Sequence, residues 1–224
     1  RGRGKSSAAG LAAGALALGG ADVLVTAPAF RNAAEVFARA RELIGGETEG
    51  KGDGGEVDRD DRGGDANERE LRTPAGGRVR FLPPAAAAAE AGEADAAVVD
   101  EAAALPVRLL EGFLDAPAVA FCTTVHGYEG AGRGFAVRFR ERLLDSRFAV
   151  RDVRLDEPIR YARNDPVEAW ASRGLLLDAR PAVDAAVSGA AVGDAAYRTL
   201  DPDDLLADET LLGEAFGLLV AAHY

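Results

Sequence analysis

The chain opens with a glycine-rich segment that runs into a lysine and two serines, Arg1-Gly-Arg-Gly-Lys-Ser-Ser7. It matches the end of the phosphate-binding pattern G-x-x-x-x-G-K-S/T, whose first glycine and preceding strand would lie before residue 1. Glycines let backbone N–H groups turn toward phosphate oxygens, and the following helix adds its positive N-terminal end. In such a loop Lys5 reaches the β- and γ-phosphates, and the Ser6 hydroxyl binds Mg²⁺. The alternative interpretation is a chance Gly-Lys-Ser sequence.

Two acidic residues follow an apolar run at Ala96-Ala-Val-Val-Asp100-Glu101. Such a run is typical of a buried parallel strand, and its end is where a nucleotide hydrolase needs carboxylates. We expect Asp100 to hold Mg²⁺ through water and Glu101 to orient or deprotonate the attacking water. The alternative is a structural strand followed by a helix whose first turn favours acids.

A second apolar run, residues 118–125, carries the threonines Thr123 and Thr124 near its end. A polar pair after the strand that follows the acidic one is where helicase-type ATPases sense the γ-phosphate. Four glycines then give residues 126–135 unusual backbone freedom. Arg133 lies in this loop and is a candidate for contact with a phosphate or an RNA backbone. The alternative is a solvated arginine in a surface turn.

The order of the elements predicts an α/β fold of the RecA-like kind, a mostly parallel sheet flanked by helices, with its first strand before residue 1. Strands are expected at 22–26, 78–82, 96–100 and 118–125, and an edge strand at 148–155. Helices are expected at 7–18, 31–44, 85–91 and 135–145. Ten glycines, ten acids and six bases among residues 45–78 predict a solvated, disordered insertion.

Five segments occur in an order that identifies a family: RGRGKSSAAG, VLVTAPAF, AAVVDEAAALP, TTVHGYEGAGRGF and EPIRYARNDPVEAW. Together they closely resemble the helicase-like ATPase module of the tRNA(Met) cytidine acetyltransferases. The resemblance covers residues 1–178 and is weaker beyond them. The family usually has Thr where Ala131 stands, and many members have Gln where His126 stands. Neither difference removes a phosphate or metal ligand.

The resemblance implies a function that this part of a polypeptide does not perform alone. Family members use acetyl-CoA and ATP to form N4-acetylcytidine at the wobble position of elongator tRNA(Met). Acetyl transfer takes place in a separate, C-terminal acetyltransferase domain. Residues 1–178 would then form the ATPase domain, and residues 179–224 a mainly helical extension that leads to the acetyltransferase domain.

The resemblance also assigns residues to the nucleotide. Arg160 would contact the nucleotide from outside the loop, where an arginine on the γ-phosphate can raise the rate about 10³–10⁵-fold. The alternative for Arg160 is a weak surface salt bridge with a neighbouring acid. The loop that would bind ATP consists of Gly2, Arg3, Gly4, Lys5, Ser6, Ser7, Ala8, Ala9, Gly10 and Leu11.

The composition is strongly acidic, since 37 acids against 26 bases give a formal net charge of −11. Lysine occurs only at Lys5 and Lys51 and methionine is absent, which favours a halophilic, haloarchaeal cytoplasm over an acidic mesophilic one. At molar salt the Debye length is about 3 Å, so an acidic surface no longer repels RNA at long range. The single Cys122 excludes an internal disulfide, and no segment is apolar enough to predict a membrane span.

Two other functions fit parts of the pattern. An independent P-loop RNA helicase or translocase would share the loop, but the sequence offers strands for only one sheet. A non-catalytic nucleotide-binding scaffold would also share the fold. Against the scaffold, Lys5, Ser6, Asp100 and Glu101 are all present.

Overall fold

The computed structural model describes residues 2–49, 68–124, 139–177, 179 and 196–223. Its first elements are α1 (Lys5–Leu18), β1 (Asp22–Thr26), α2 (Phe30–Glu49), β2 (Glu70–Arg72), β3 (Arg78–Phe81) and α3 (Pro84–Glu90). Next come β4 (Ala96–Asp100), α4 (Val107–Gly112), β5 (Val119–Cys122) and α5 (Arg140–Leu144). The last are α6 (Pro166–Gly174), α7 (Pro202–Ala207) and α8 (Glu209–His223).

The strands form one sheet in the order β2-β3-β1-β4-β5. All neighbouring pairs are parallel except β2 with β3, which is antiparallel. β4 is buried along its whole length, as expected for an apolar strand covered on both faces. The predicted α/β, RecA-like fold is confirmed.

Alternating side chains of the central strands supply two separate cores, one on each face of the sheet. Val23 and Val25 pack with α1 and α2 on one face. Leu24, between them, packs with Leu110 and Phe113 on the other face. The sheet is therefore the middle layer of three, and its polar groups become accessible mainly at the strand ends.

Helices α1 and α2 lie unusually close together, and two glycines make this possible. A Cβ at Gly10 would overlap the backbone carbonyl of Val36, and one at Gly14 would lie 3.2 Å from Ala40 Cα. Ala13 and Ala17, on the same side of α1, are fully buried. The small apolar residues of 7–18 therefore serve helix packing, and the structure begins that helix two residues earlier, at Lys5.

An ion-pair cluster joins β1 and β3 at the amino end of the sheet. The Asp22 carboxylate accepts hydrogen bonds from Arg78 Nη2 at 2.7 Å and from Arg80 Nε at 3.1 Å. Arg80 also donates to Glu90 at 2.8 Å. Burial raises the pKa of Asp22, but the two arginines outweigh burial and lower it below its usual 3.8.

The predicted insertion at 45–78 is wrong at both ends. Residues 45–49 continue α2, although Gly45 and Gly46 each disfavour a helix by about 1 kcal/mol. Glu70–Arg72 forms β2, and the turn back to β3 uses Gly76 at φ +84°. The middle of the segment, residues 50–67, lies outside the described residues.

The predicted edge strand at 148–155 is also wrong, since the structure has no strand there. The apolar-polar alternation slips at Arg151 and Asp152, and Arg140 of α5 binds Asp152 at 2.6 Å. The Val153 side chain is 73% exposed, so no apolar face forms to hold a strand on the sheet. Of the predicted helix 135–145, the described part is α5.

The C-terminal part that the structure describes, residues 196–223, is mainly helical. The Asp201 side chain caps α7 by accepting from Asp203 N at 2.8 Å. Asp208 caps α8 in the same way, through the backbone of Thr210 and Leu211. Within the described ranges, no helix combines the length and the apolar character needed to span a membrane.

Candidate nucleotide site

The beginning of α1 meets the carboxyl ends of β4 and β5 at one edge of the sheet. Lys5 Nζ donates a hydrogen bond to Thr124 Oγ1 at 3.1 Å, although the two residues are 119 positions apart. Asp100 ends β4 and lies opposite Cys122, the last residue of β5. The structure therefore brings Lys5, Asp100 and Thr124, which the sequence predicted as site residues, to the same edge of the sheet.

The turn into α1 suits a phosphate group. Gly2 and Gly4 have φ of +72° and +79°, which glycine adopts without steric cost. No side chain caps the helix at Gly4, and its first intrahelical bond is from Ala8 N to Gly4 O at 2.9 Å. The backbone N–H groups of Lys5, Ser6 and Ser7 are therefore those that an anion can accept from.

Asp100 has the environment of a metal or water ligand. The residue is only 1% exposed, and its Oδ1 accepts from Glu101 N at 3.0 Å. Its Oδ2 is buried and has no hydrogen-bond partner among the described residues. A buried carboxylate oxygen without a partner is costly unless a ligand satisfies it. Asp100 therefore fits the role of binding a cation or a cation-bound water.

Other protein ligands for such a cation are few. No group of three or more His, Cys, Asp or Glu side chains that could hold a metal occurs in the described ranges. Mg²⁺ in nucleotide sites keeps several waters and takes one or two protein ligands beside phosphate oxygens. Ser6, in the first turn of α1, and Asp100 are the residues here that match that pattern.

Glu101 adopts a backbone conformation that is uncommon outside glycine, with φ 50° and ψ 42°. Glu101 is partly exposed at this strained turn, whereas Asp100 before it is buried. The backbone N–H of Ala103, just after the turn, donates to Thr123 Oγ1 at 3.2 Å. Thr123 thus holds the turn that carries Glu101, while Thr124 contacts Lys5.

The pKa of the Cys122 thiol is affected by the charged side chains at this edge of the sheet. Burial, with a further contribution from the negative Asp100 and Glu101, raises the pKa of its thiol to about 11, against a lowering by Lys5. These three charges therefore lie within electrostatic reach of one half-buried thiol. The sequence did not indicate that Cys122 lies near both acids and the lysine.

Arg160 lies beside the loop, in a segment that crosses it. The backbone N–H of Ile159 donates to the Gly2 carbonyl at 3.0 Å. A Cβ at Gly2 would lie 3.5 Å from Arg160 Cδ, and one at Gly4 would overlap the Ile159 side chain. Both loop glycines are thus favoured by their positive φ, and a side chain at Gly4 would also force the Ile159 side chain to move. The structure brings Arg160 to the loop from 158 residues away.

The remaining predicted loop residues have other surroundings. Ala9 and Gly10 are buried toward α2, Ala8 is exposed, and Leu11 is 45% exposed. Because they lie inside the helix, their N–H groups are used for intrahelical hydrogen bonds. They therefore shape α1, and their part in ATP binding stays a prediction. Arg133, His126 and Ala131 lie outside the described residues.

One contact at the loop had no signal in the sequence. Ser7 Oγ donates to Glu35 Oε1 of α2 at 2.8 Å, and Arg39 Nε donates to the same oxygen at 2.9 Å. The hydrogen bonds from Arg39 and Ser7 lower the pKa of Glu35. This contact fixes Ser7 against α2 and away from the role of a second metal ligand.

These elements define a nucleotide-binding domain of RecA-like fold, of the helicase-like kind. The sequence profile of the RNA cytidine acetyltransferase NAT10/TcmA helicase domain matches residues 1–178, and the chain belongs to this family. The resemblance noted from the sequence is confirmed. The boundary of the ATPase domain at residue 178 and the separate role of residues 179–224 stay predictions.

The chain is similar to proteins named tRNA(Met) cytidine acetyltransferase TmcA. It is 63% identical to the one from Haloferax volcanii and 58% identical to the one from Haloarcula marismortui. A third, from Nitrosococcus halophilus, is 40% identical. Each match covers the whole chain and 28% of the relative's length. The haloarchaeal relatives agree with the halophilic interpretation of the acidic composition.

Proposed function

We propose that this chain is the ATP-binding and ATP-hydrolysing module of an RNA cytidine acetyltransferase. The observation that carries the proposal is the 3.1 Å hydrogen bond between Lys5 and Thr124. It joins the glycine-rich turn to the strand beside the buried Asp100. An uncapped helix start, a cation and a partnerless carboxylate oxygen at one sheet edge together suit a nucleoside triphosphate.

In this proposal the loop binds phosphate through the backbone N–H groups of Lys5, Ser6 and Ser7. The Lys5 ammonium binds phosphate oxygens, either in place of the Thr124 hydroxyl or together with it. Ser6 and Asp100 hold Mg²⁺, which neutralises phosphate charge when bound. Gly2, Arg3 and Gly4 set the turn, and the helical residues Ala8, Ala9, Gly10 and Leu11 support it from α1.

Hydrolysis needs a positioned water, and Glu101 is the proposed group that orients or deprotonates it. The strained turn at Glu101 supports this role, because strain of this kind is commonly retained at working sites. Thr123 and Thr124 sense the γ-phosphate, and Arg160 neutralises charge on the phosphates. Arg133 is proposed to couple the site to phosphate or RNA.

The activity of the whole protein is proposed from family membership. The relatives' names support tRNA(Met) as the substrate and cytidine as the acetylated base. From the family resemblance we further propose that elongator tRNA(Met) is acetylated to N4-acetylcytidine and that this takes place in the cytoplasm. Acetyl-CoA would be used by a C-terminal acetyltransferase domain of the same polypeptide, as the family resemblance implies. ATP hydrolysis by the present module would drive handling of the RNA.

The test is ATP hydrolysis by the full-length protein in high potassium chloride, with and without elongator tRNA(Met), while acetyl transfer from labelled acetyl-CoA is followed. RNA-stimulated hydrolysis together with acetylated cytidine is the expected result. Hydrolysis without acetylation would favour an independent P-loop helicase or translocase. Nucleotide binding with no hydrolysis under any condition would favour a non-catalytic scaffold.

A further inference from the structure

Three side chains form a cluster next to the phosphate loop that the proposed chemistry does not use. Glu168 Oε1 accepts a hydrogen bond from Arg3 Nη2 at 2.9 Å and another from the Tyr161 hydroxyl at 2.7 Å. The Arg3 guanidinium also lies over the Tyr161 ring, 5.7 Å from its centroid. One carboxylate oxygen therefore ties the loop to the segment that crosses it.

The cluster is better shielded than the other ion pairs of this region. The side chains of Arg3 and Glu168 are 25% and 33% exposed. Those of Arg163 and Glu157 are 77% and 79% exposed, and their atoms are 3.5 Å apart. Exposed pairs contribute little because solvent screens them, whereas a shorter, half-buried pair holds its geometry. Of these two ion pairs, the one between Arg3 and Glu168 is thus the better suited to hold the segment.

Glu168 itself is held in place by the start of α6. Asp165 caps this helix by accepting from Val167 N at 2.8 Å, and Pro166 occupies the first helical position. Glu168 therefore projects from the first turn of a helix with a defined beginning. A carboxylate on a fixed helical turn can orient a loop arginine, while one on a free loop cannot.

The position of Arg160 follows from these contacts. Ile159 N binds the Gly2 carbonyl on one side of Arg160, and Tyr161 binds Glu168 on the other. Both neighbours of Arg160 in sequence are thus attached, one directly to the loop and one through Glu168 and Arg3. Arg160 itself is exposed, so its backbone anchors rather than its own packing determine where its guanidinium can reach.

We propose that Glu168 is a positioning residue that ties Arg3 of the phosphate loop to Tyr161 and thereby keeps Arg160 next to the bound triphosphate. The proposal rests on the proposed ATPase function. Glu168 touches neither the nucleotide nor the attacking water in this role. It acts through Arg160, so its loss is equivalent to displacing that arginine.

The test compares ATP hydrolysis by the full-length protein carrying Glu168→Ala, Arg160→Ala or both. Displacing a positioned charge costs on the order of tenfold or more in kcat/KM, and we expect both single variants to show such a loss. The double variant should lose no more than Arg160→Ala alone, because both changes remove the same interaction. Glu168→Gln, which keeps an acceptor oxygen for Tyr161 and Arg3, should recover most of the activity.

Asp204→Ala is the matched control, since Asp204 pairs with Arg198 at 3.6 Å in the C-terminal helical part. It should leave kcat/KM unchanged. Losses that multiply in the double variant would overturn the positioning role, as would activity of Glu168→Ala equal to the parent. If Glu168→Ala fails to fold, Tyr161→Phe paired with Arg160→Ala provides the same cycle. A parent protein that hydrolyses no ATP would instead overturn the proposed function.

Discussion

The Lys5 ammonium and the Thr124 hydroxyl share a hydrogen bond of 3.1 Å at the carboxyl edge of the sheet. The contact places the lysine over the end of β5. A lysine held in this way loses little side-chain freedom when a nucleotide arrives, which favours binding.

Lys5→Ala should weaken nucleotide binding itself. The change removes a charge-assisted contact worth about 1.5–3 kcal/mol, which corresponds to roughly 10–100-fold in affinity. Titration of the full-length protein with a fluorescent ATP analogue measures it. Thr124→Val is the companion variant, and it should reduce affinity less, because the ammonium stays. Parent-like affinity in Lys5→Ala would contradict the assignment of the loop.

Glu101→Gln should separate binding from hydrolysis. The amide keeps the size of the side chain but cannot take a proton, so hydrolysis should fall about 10²–10⁴-fold. Affinity for the ATP analogue should change little. Steady-state phosphate release, measured beside the binding titration, checks both expectations. Equal hydrolysis by this variant and the parent would remove Glu101 from the role of base.

Gly4→Ala should disrupt the loop through the backbone. A φ of +79° costs an alanine about 1–2 kcal/mol, and its Cβ would overlap Ile159. We expect a lower thermal midpoint and weaker nucleotide binding. Gly213→Ala is the control, since a Cβ there meets nothing within 4 Å and should stabilise α8 by about 0.5–1 kcal/mol. Unchanged binding by Gly4→Ala would be inconsistent with the described turn.

The Asp22 cluster should make stability depend on acid pH. The folded-state pKa of Asp22 lies below 3.8, so its contribution is present above the unfolded value and is lost as pH falls through the folded one. Asp22→Asn should cost about 2 kcal/mol near neutral pH, the range for hydrogen bonds to charged groups. Denaturant unfolding of parent and variant should show this difference shrinking below pH 3.8. A difference that stays constant with pH would contradict the ionic origin.

Cys122 should react slowly with alkylating agents. Its folded-state pKa of about 11 leaves almost no thiolate at mildly alkaline pH, and the thiolate is the nucleophile. In the native protein the labelling rate should rise as the pH approaches about 11. Once denaturant unfolds the chain, labelling should already be fast near pH 9. Mass spectrometry of iodoacetamide labelling measures both. Rapid labelling of the native protein at mildly alkaline pH would show that burial and the neighbouring acids do not raise the pKa of the thiol.

Local signals predicted the elements that build the site. A short apolar run ending in Asp100 favours a buried strand, and the turn before Lys5 favours glycine, so both were evident in the residues. The side-chain contacts were not, because Lys5 with Thr124 and Ser7 with Glu35 depend on tertiary packing across distant parts of the chain. Glu168 likewise gave no local signal, since its partners Arg3 and Tyr161 lie in other elements.

The errors have a common cause in local composition. Gly45 and Gly46 suggested the end of a helix, yet α2 continues through them. The alternation at 148–155 suggested a strand, but no neighbouring strand receives it. Propensity describes the secondary structure that an isolated segment prefers. In the folded protein, the secondary structure of a segment also depends on the surfaces against which it can pack.

Because α1 and α2 approach closely at Gly10 and Gly14, the two helices form one rigid unit. At these two glycines the α1 backbone lies directly against the α2 backbone, so sliding one helix along the other would force backbone atoms together. A displacement of the phosphate loop at the start of α1 would therefore be shared by α2, a helix of 20 residues that is about 30 Å long.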